Sequence, residues 1–237
     1  MSVGSDGTGA IAKALSTARR EPIYVGDEST ISLDDFFVPT HYLGYLDCLL
    51  VPHGTIVSRV EKLAKDIADN YRGETIYLLC VLKGGSAFFN DLCEALKKFH
   101  VYEGKMYLPH VFDFIRVKSY SGTSSTGNVS ITGCDLSKLK GKHVIFVEDI
   151  VDTGLTMTKV FEFMMAQVEP ASVNVATLCE KRTHLSCGFK ARYSGFSIPD
   201  KFVVGYGMDY NEIYRDLNHI AIINSAGIEK FKDHSFA

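Results

Sequence analysis

The chain alternates short, almost uninterrupted apolar runs with stretches whose apolar residues recur at helical spacing. This alternation restricts its fold more than any other feature. Thr75-Ile-Tyr-Leu-Leu-Cys-Val81 and His143-Val-Ile-Phe-Val147 are too brief for stable helices and rich in strand formers. Before the first of them, Gly54 to Tyr71 places Ile56, Val60, Leu63, Ala64 and Ile67 on one helical face. After it, Lys83-Gly84-Gly85 breaks the run, and Phe88, Leu92, Ala95, Leu96 and Phe99 form the next amphipathic face. His110 to Val117 reads as a further strand. The second run turns through Glu148 to Gly154 into a helix carrying Met157, Val160, Phe161, Met164 and Val168, which Pro170 ends. Ser172 to Leu178, Lys201 to Tyr206 and His219 to Asn224 supply the remaining strands. Nearly continuous apolar strands must be buried on both faces, so the expected class is α/β: a doubly wound, mostly parallel sheet flanked by helices.

No internal repeat or low-complexity linker divides this pattern. Residues 1–20, rich in Gly, Ser, Thr and Ala, read as a mobile tail, and 21–237 as a single domain. Residues of about 21–50 and part of the C-terminus are expected to form a small cap subdomain. Ser119 to Gly133 holds many Ser, Gly and Thr residues and is expected to be an exposed loop or flexible hairpin.

Of the 237 residues, 46% are hydrophobic and 22% charged, enough apolar material for a substantial core. A net charge of −3 argues against a nucleic-acid partner bound through a broad basic surface. No run approaches the roughly 18 apolar residues of a membrane span, and the opening residues lack a cationic start followed by an apolar block. A cytoplasmic protein without a membrane partner is the expectation. The six cysteines contain no CxxC pair, and reduced thiols are expected, with Cys80 and Cys179 acting as small hydrophobes.

Chemistry concentrates in Val144-Ile-Phe-Val-Glu-Asp-Ile-Val-Asp-Thr-Gly-Leu-Thr156. Ligands of open parallel sheets collect at the carboxyl ends of strands. Here that position combines Glu148, Asp149 and Asp152 with Thr153, Gly154 and Thr156. Backbone N–H groups at a helix start, helped by threonine hydroxyls, hold a phosphate without lysine. Gly154 removes the Cβ that would stand between backbone and phosphate, and paired carboxylates suit ribose hydroxyls and a hard cation such as Mg²⁺. Acidic strand ends with a glycine turn are also common in α/β proteins without such a site. Neither GxxxxGK[ST] nor GxGxxG is present, which removes the Walker and dinucleotide readings.

The run Val-Glu-Asp-Ile-Val-Asp-Thr-Gly-Leu-Thr resembles the phosphoribosyl pyrophosphate motif of the purine and pyrimidine phosphoribosyltransferases. Four more segments narrow the resemblance to the hypoxanthine-guanine branch: Val81-Leu-Lys-Gly-Gly85; Ser119-Tyr120 with Ser125-Thr-Gly127; Lys181-Arg-Thr183; and Asp200-Lys-Phe-Val-Val-Gly-Tyr206 followed by Asp209-Tyr-Asn-Glu212 and Arg215-Asp-Leu-Asn-His219. It extends from about His41 to the C-terminus.

The resemblance implies a type I phosphoribosyltransferase fold with a mobile loop, and transfer of phosphoribosyl from phosphoribosyl pyrophosphate to hypoxanthine or guanine, giving IMP or GMP and pyrophosphate. By similarity, Glu148 and Asp149 hold the ribose hydroxyls and one Mg²⁺, and Asp209 holds a second. The turn of Asp152, Thr153, Gly154, Leu155 and Thr156 takes the 5′-phosphate, and Ile150 and Val151 belong to the same phosphoribosyl pyrophosphate site. Asp152 faces N7 of the purine as proton acceptor, and Lys83, Gly84 and Arg215 bind pyrophosphate at a place where the family often has a cis peptide. Lys181 donates to the 6-oxygen, while Lys201, Phe202, Val203 and Asp209 complete the purine site. Ser119 and Tyr120 belong to the lid. A homodimer or homotetramer is implied as well. Taken one at a time, Lys181 also fits a solvated surface charge and Phe202 a core residue. The competing reading from another class is a regulatory sensor of this fold with little catalysis.

Overall fold

The structure is a computed structural model that describes residues 19–71, 74–102, 109–119 and 129–234. The expected tail therefore lies outside the described residues up to position 18. So does the expected lid, apart from the backbone of Ser119.

Seven strands form the main sheet: β1 (Ile23–Tyr24), β3 (Ile76–Val81), β4 (His110–Ser119), β5 (Val129–Thr132), β6 (His143–Val151), β7 (Ser172–Lys181) and β8 (Tyr193–Ile198). Their order is β1-β8-β7-β6-β3-β4-β5. Every pairing is parallel except β4 with β5. A three-stranded sheet of β2 (Leu46–Val51), β10 (Ile220–Ile223) and β9 (Val203–Val204) stands apart.

Alternation along the strands divides the core between the two faces of the sheet. Leu78, Cys80, Ile145 and Val147 pack with Ile56, Val60 and Leu63 of α1 (His53–Asn70) and with Phe88 and Leu92 of α2 (Ser86–Tyr102). Leu79, Val144 and Phe146 point the other way, against Met157, Val160 and Phe161 of α3 (Leu155–Phe163). The expected helical faces are the buried ones, with Phe99 packed at the edge of its cluster. A third cluster joins Val38, Tyr42 and Leu46 to Tyr214, Leu217 and Ala221, so that the N-terminal segment and the C-terminal strand share one small core. The chain closes with α4 (Ser225–Phe231), capped by the Asn224 side chain.

Several elements differ from the sequence reading. Of the loop and hairpin alternatives expected there, residues 129–132 follow the hairpin: they pair antiparallel with β4, with Val129 and Ile131 packed in the same apolar cluster as Ile115 and Val117. Strand β6 runs on to Val151, so the expected turn at Glu148 starts only at Asp152; parallel pairing with β7 carries Glu148 and Asp149 on the strand itself. Past Phe163 the helix widens into a π-turn over Met164–Val168. The strand expected over 201–206 shrinks to Val203–Val204, since Gly205, Tyr206 and Gly207 all take positive φ. Strand β8, which the sequence reading did not contain, is buried against β7.

All six cysteines are free; four are buried, and burial pushes the Cys80 thiol up to about 12. No helix among the described residues is long and apolar enough to cross a membrane.

Candidate active site

The carboxyl ends of β3, β6 and β7 converge on one side of the sheet, and the small sheet leans over that edge. A cavity of about 310 Å³ is lined there by Glu148, Ile150, Val151, Asp152, Thr153, Gly154 and Thr156, with Val81, Leu82, Val117 and Met157 behind them. A second cavity of about 190 Å³ is lined by Asp149, Ile150, Asp152, Lys181, Phe202, Val203, Met208 and Asp209. Ile150 and Asp152 line both, so the two form adjoining halves of one site.

The first half is a helix N-terminus. Gly154 is the N-cap of α3 at φ 82°, and the cap offers no side-chain oxygen to the first-turn N–H groups. Thr153 Oγ1 lies 3.4 Å from the Leu155 nitrogen, and the Thr153 carbonyl accepts from the Cys187 backbone at 2.8 Å, which ties the loop down. A Cβ on Gly154 would stand 2.6 Å from Cβ of Phe189 and 3.1 Å from Cys187 Sγ. Glycine is required here on two counts, conformation and space.

Glu148 and Asp149 end the strand beside this loop. Burial, followed by the adjoining Asp149 carboxylate, pushes Glu148 well above the usual carboxylate range. Such a pair gains from a cation or from hydroxyl donors. Among the described residues no group of three or more His, Cys, Asp or Glu side chains is positioned to hold a metal ion. The all-oxygen pair nonetheless fits Mg²⁺, a hard ion that takes several ligands from water and from a phosphorylated substrate. Asp209 shares the second cavity with Asp149, and its carboxylate meets Arg215 at 2.8 Å and accepts from the Glu212 N–H at 2.7 Å.

The loop after β3 closes the other side. The Leu82–Lys83 peptide is cis, where the resemblance implied one. Gly84 rests directly on Asp149, since a Cβ there would fall 1.7 Å from Oδ2. Gly85 is enclosed by the carbonyls of Val81 and Val147, at 2.7 and 2.9 Å from its built Cβ. Lys83 and Arg215 both reach Glu212.

In the second half, Lys181 Nζ lies 3.1 Å from Asp152 Oδ2, with the lysine side chain 12% exposed. This is not a solvated surface lysine. Its neighbour Arg182 clamps the end of β7: it donates to the Ser197 carbonyl at 2.6 Å and the Val25 carbonyl at 2.7 Å, pairs with Asp27, and stacks 4.1 Å from the Tyr24 ring. Phe202 is 49% exposed, lines the second cavity and meets the edge of the Tyr210 ring, so it is a platform at the cavity wall and not a core residue. Lys201 sits outside the cavity lining, its N–H bonded to the Pro199 carbonyl. Sequence reasoning missed Met208, a wall of the second half, and the clamp formed by Arg182. Val81 and Leu82 lie in a segment that the sequence already marked, whereas Val117 could have been found only from the topology that brings β3, β4 and β6 side by side.

A helix N-terminus for a phosphate, a carboxylate pair beside it and a small polar cavity with a platform aromatic define a class of nucleotide-handling α/β transferase. The chain belongs to the phosphoribosyltransferase family: the model of the phosphoribosyl transferase domain matches residues 50–211. Within that family it is 47% identical over 214 residues to the hypoxanthine-guanine-xanthine phosphoribosyltransferase of Plasmodium falciparum, covering 90% of this chain and 92% of that one. It is 45% identical over 218 residues to the Homo sapiens hypoxanthine-guanine phosphoribosyltransferase, covering 91% and 99%. A solved structure of the Schistosoma mansoni hypoxanthine-guanine phosphoribosyltransferase in complex with IMP matches with a TM-score of 0.75 at 33% identity, over 89% of this chain and 99% of that one.

Proposed function

We propose that the chain transfers the 5-phosphoribosyl group of phosphoribosyl pyrophosphate to hypoxanthine or guanine, giving IMP or GMP and pyrophosphate, with Mg²⁺ as cofactor. The observation that carries the reading is the position of Lys181 and Asp152, in contact with each other where the two halves of the cavity meet. An ammonium has only donors and suits the 6-oxygen of both bases. Asp152 is within reach of a base in the same pocket and accepts the N7 proton as the glycosidic bond forms.

The 5′-phosphate takes the N-terminus of α3 at Thr153 to Thr156, and the ribose hydroxyls take Glu148 and Asp149. Positive charge on the ribose ring is stabilised by this acidic strand end, an arrangement that favours charge separation over covalent attack. Glu148 and Asp149 are the residues that would hold one Mg²⁺ and Asp209 a second; the ions would supply neutralisation of the leaving pyrophosphate. Lys83, the Gly84 backbone and Arg215 bind that pyrophosphate. Phe202 stacks on the purine, and the Val203 and Asp209 backbones serve its far edge. The intact pair of Lys181 and Asp152 favours catalysis over a sensor of the sugar pyrophosphate. Nucleotide formation from each purine base, with and without Mg²⁺, tests the reading; absence of product from both 6-oxopurines would remove it.

A further inference from the structure

Lys83 and Arg215 lie on different loops and share one carboxylate, that of Glu212; Arg215 Nη2 also meets Asp209 Oδ1 at 2.8 Å. Lys83 Nζ is 2.9 Å from Glu212 Oε2; Arg215 Nε is 3.3 Å from the same oxygen, and its Nη2 is 3.2 Å from Oε1. Glu212 therefore bridges a lysine and the fork of an arginine with two oxygens, much as a bound oxyanion would.

The backbone holds it there. Asn211, Glu212 and Tyr214 adopt φ values of 49°, 68° and 75°, a run of left-handed conformations in a tight turn closed by the bridge between Tyr210 and Ile213. The Glu212 N–H is fixed on Asp209 at 2.7 Å, and the Asn211 side chain donates to the carbonyls of Phe231 and Lys232. Arg215 is further anchored on the Gly207 carbonyl at 2.7 Å. The two loops meet where a Cβ on Gly207 would fall 2.3 Å from the Gly84 carbonyl oxygen. A glutamate placed only for solubility would not require three left-handed residues in four.

We infer that Glu212 is an internal counter-anion that competes with pyrophosphate for Lys83 and Arg215 and is displaced by it. It sets the affinity for the pyrophosphate end of the substrate and eases departure of that group afterwards. This rests on the reading that Lys83 and Arg215 bind pyrophosphate. The partners are partly exposed, with side-chain exposures of 56%, 39% and 26% for Lys83, Glu212 and Arg215, so the latch is weak enough for a multiply charged ligand to open.

The test is calorimetric titration of the full chain with pyrophosphate in the presence of Mg²⁺, together with steady-state kinetics, for wild type, Glu212→Gln, Lys83→Met, Arg215→Met and the Glu212→Gln/Lys83→Met double variant. Glu212→Gln keeps the side-chain size and removes the charge. It is expected to tighten pyrophosphate about 3- to 10-fold and to lower KM for phosphoribosyl pyrophosphate while leaving KM for the purine unchanged. The gain should shrink when Lys83 is absent. If Lys83→Met and Arg215→Met bind pyrophosphate as wild type does, the pyrophosphate reading itself fails. If those two weaken binding but Glu212→Gln leaves affinity unchanged or lowers it, the counter-anion role is overturned and the site reading stands. A parallel rise in the purine KM in Glu212→Gln would mean a damaged loop and also counts against the role.

Discussion

The ammonium of Lys181 lies 3.1 Å from the carboxylate of Asp152, and Asp152 lines both the cavity at the α3 N-terminus and the cavity walled by Phe202. The pair places a donor and an acceptor side by side, and a 6-oxopurine needs both: an acceptor oxygen at C6 and, next to it, an N7 position that exchanges a proton. With no base bound, each group satisfies the other.

Asp152→Asn retains an oxygen for Lys181 but loses the ability to take a proton. It should fold normally and lower kcat by about 10²–10⁴-fold. A melting curve beside steady-state rates checks this, and a rate near that of wild type would remove Asp152 from the chemistry.

Gly154→Ala should cost both stability and substrate affinity. A non-glycine residue in the left-handed region costs on the order of 1–3 kcal/mol, and the new methyl would also meet Phe189 at 2.6 Å. The Thr153 to Thr156 loop must shift to admit it. Thermal unfolding and the KM for phosphoribosyl pyrophosphate should worsen together, with the purine KM affected less.

Acid sensitivity should run through His219. Burial lowers its pKa below the ordinary histidine value, and its Nδ1 accepts from the His53 N–H at 3.0 Å while Nε2 faces the Phe37 carbonyl at 3.2 Å. The folded protein thus favours neutral imidazole. For a depressed folded pKa the stabilisation is present above the unfolded value of about 6.5 and is lost as pH falls through the folded one. Stability should decline below about pH 6.5, and His219→Gln should flatten that part of the profile. An unchanged slope in the variant would assign the decline to other groups.

The amphipathic faces of α1 and α2 and the apolar runs of β3, β6 and β7 were readable in the sequence because burial on one side forces a period of 3.6 and burial on both sides forces continuity. The acidic strand end and its glycine turn were readable for a similar reason, since few residue types tolerate that position. The strand at 129–132 was not separable from the loop alternative, only offered as a hairpin beside it, because its apolar residues are few. The left-handed run at 211–214 left no trace either: Asn211 tolerates positive φ, but Glu212 and Tyr214 are not residues that announce it. Phe202 and Lys181 were ambiguous one at a time. Their exposure and partners decide between surface, core and site, and these are tertiary facts.

The ammonium of Lys181 reads the 6-position of the base, and one comparison tests this most directly. kcat/KM should be measured for hypoxanthine, guanine and adenine with phosphoribosyl pyrophosphate and Mg²⁺, in wild type and in Lys181→Met. Adenine presents a donor to a donor, and a stranded polar group in such a pocket costs about 10⁴–10⁵-fold in discrimination. Wild type should therefore use both 6-oxopurines and scarcely any adenine, and Lys181→Met should lose 6-oxopurine turnover far more than adenine turnover. Adenine accepted by wild type as readily as hypoxanthine would contradict the account.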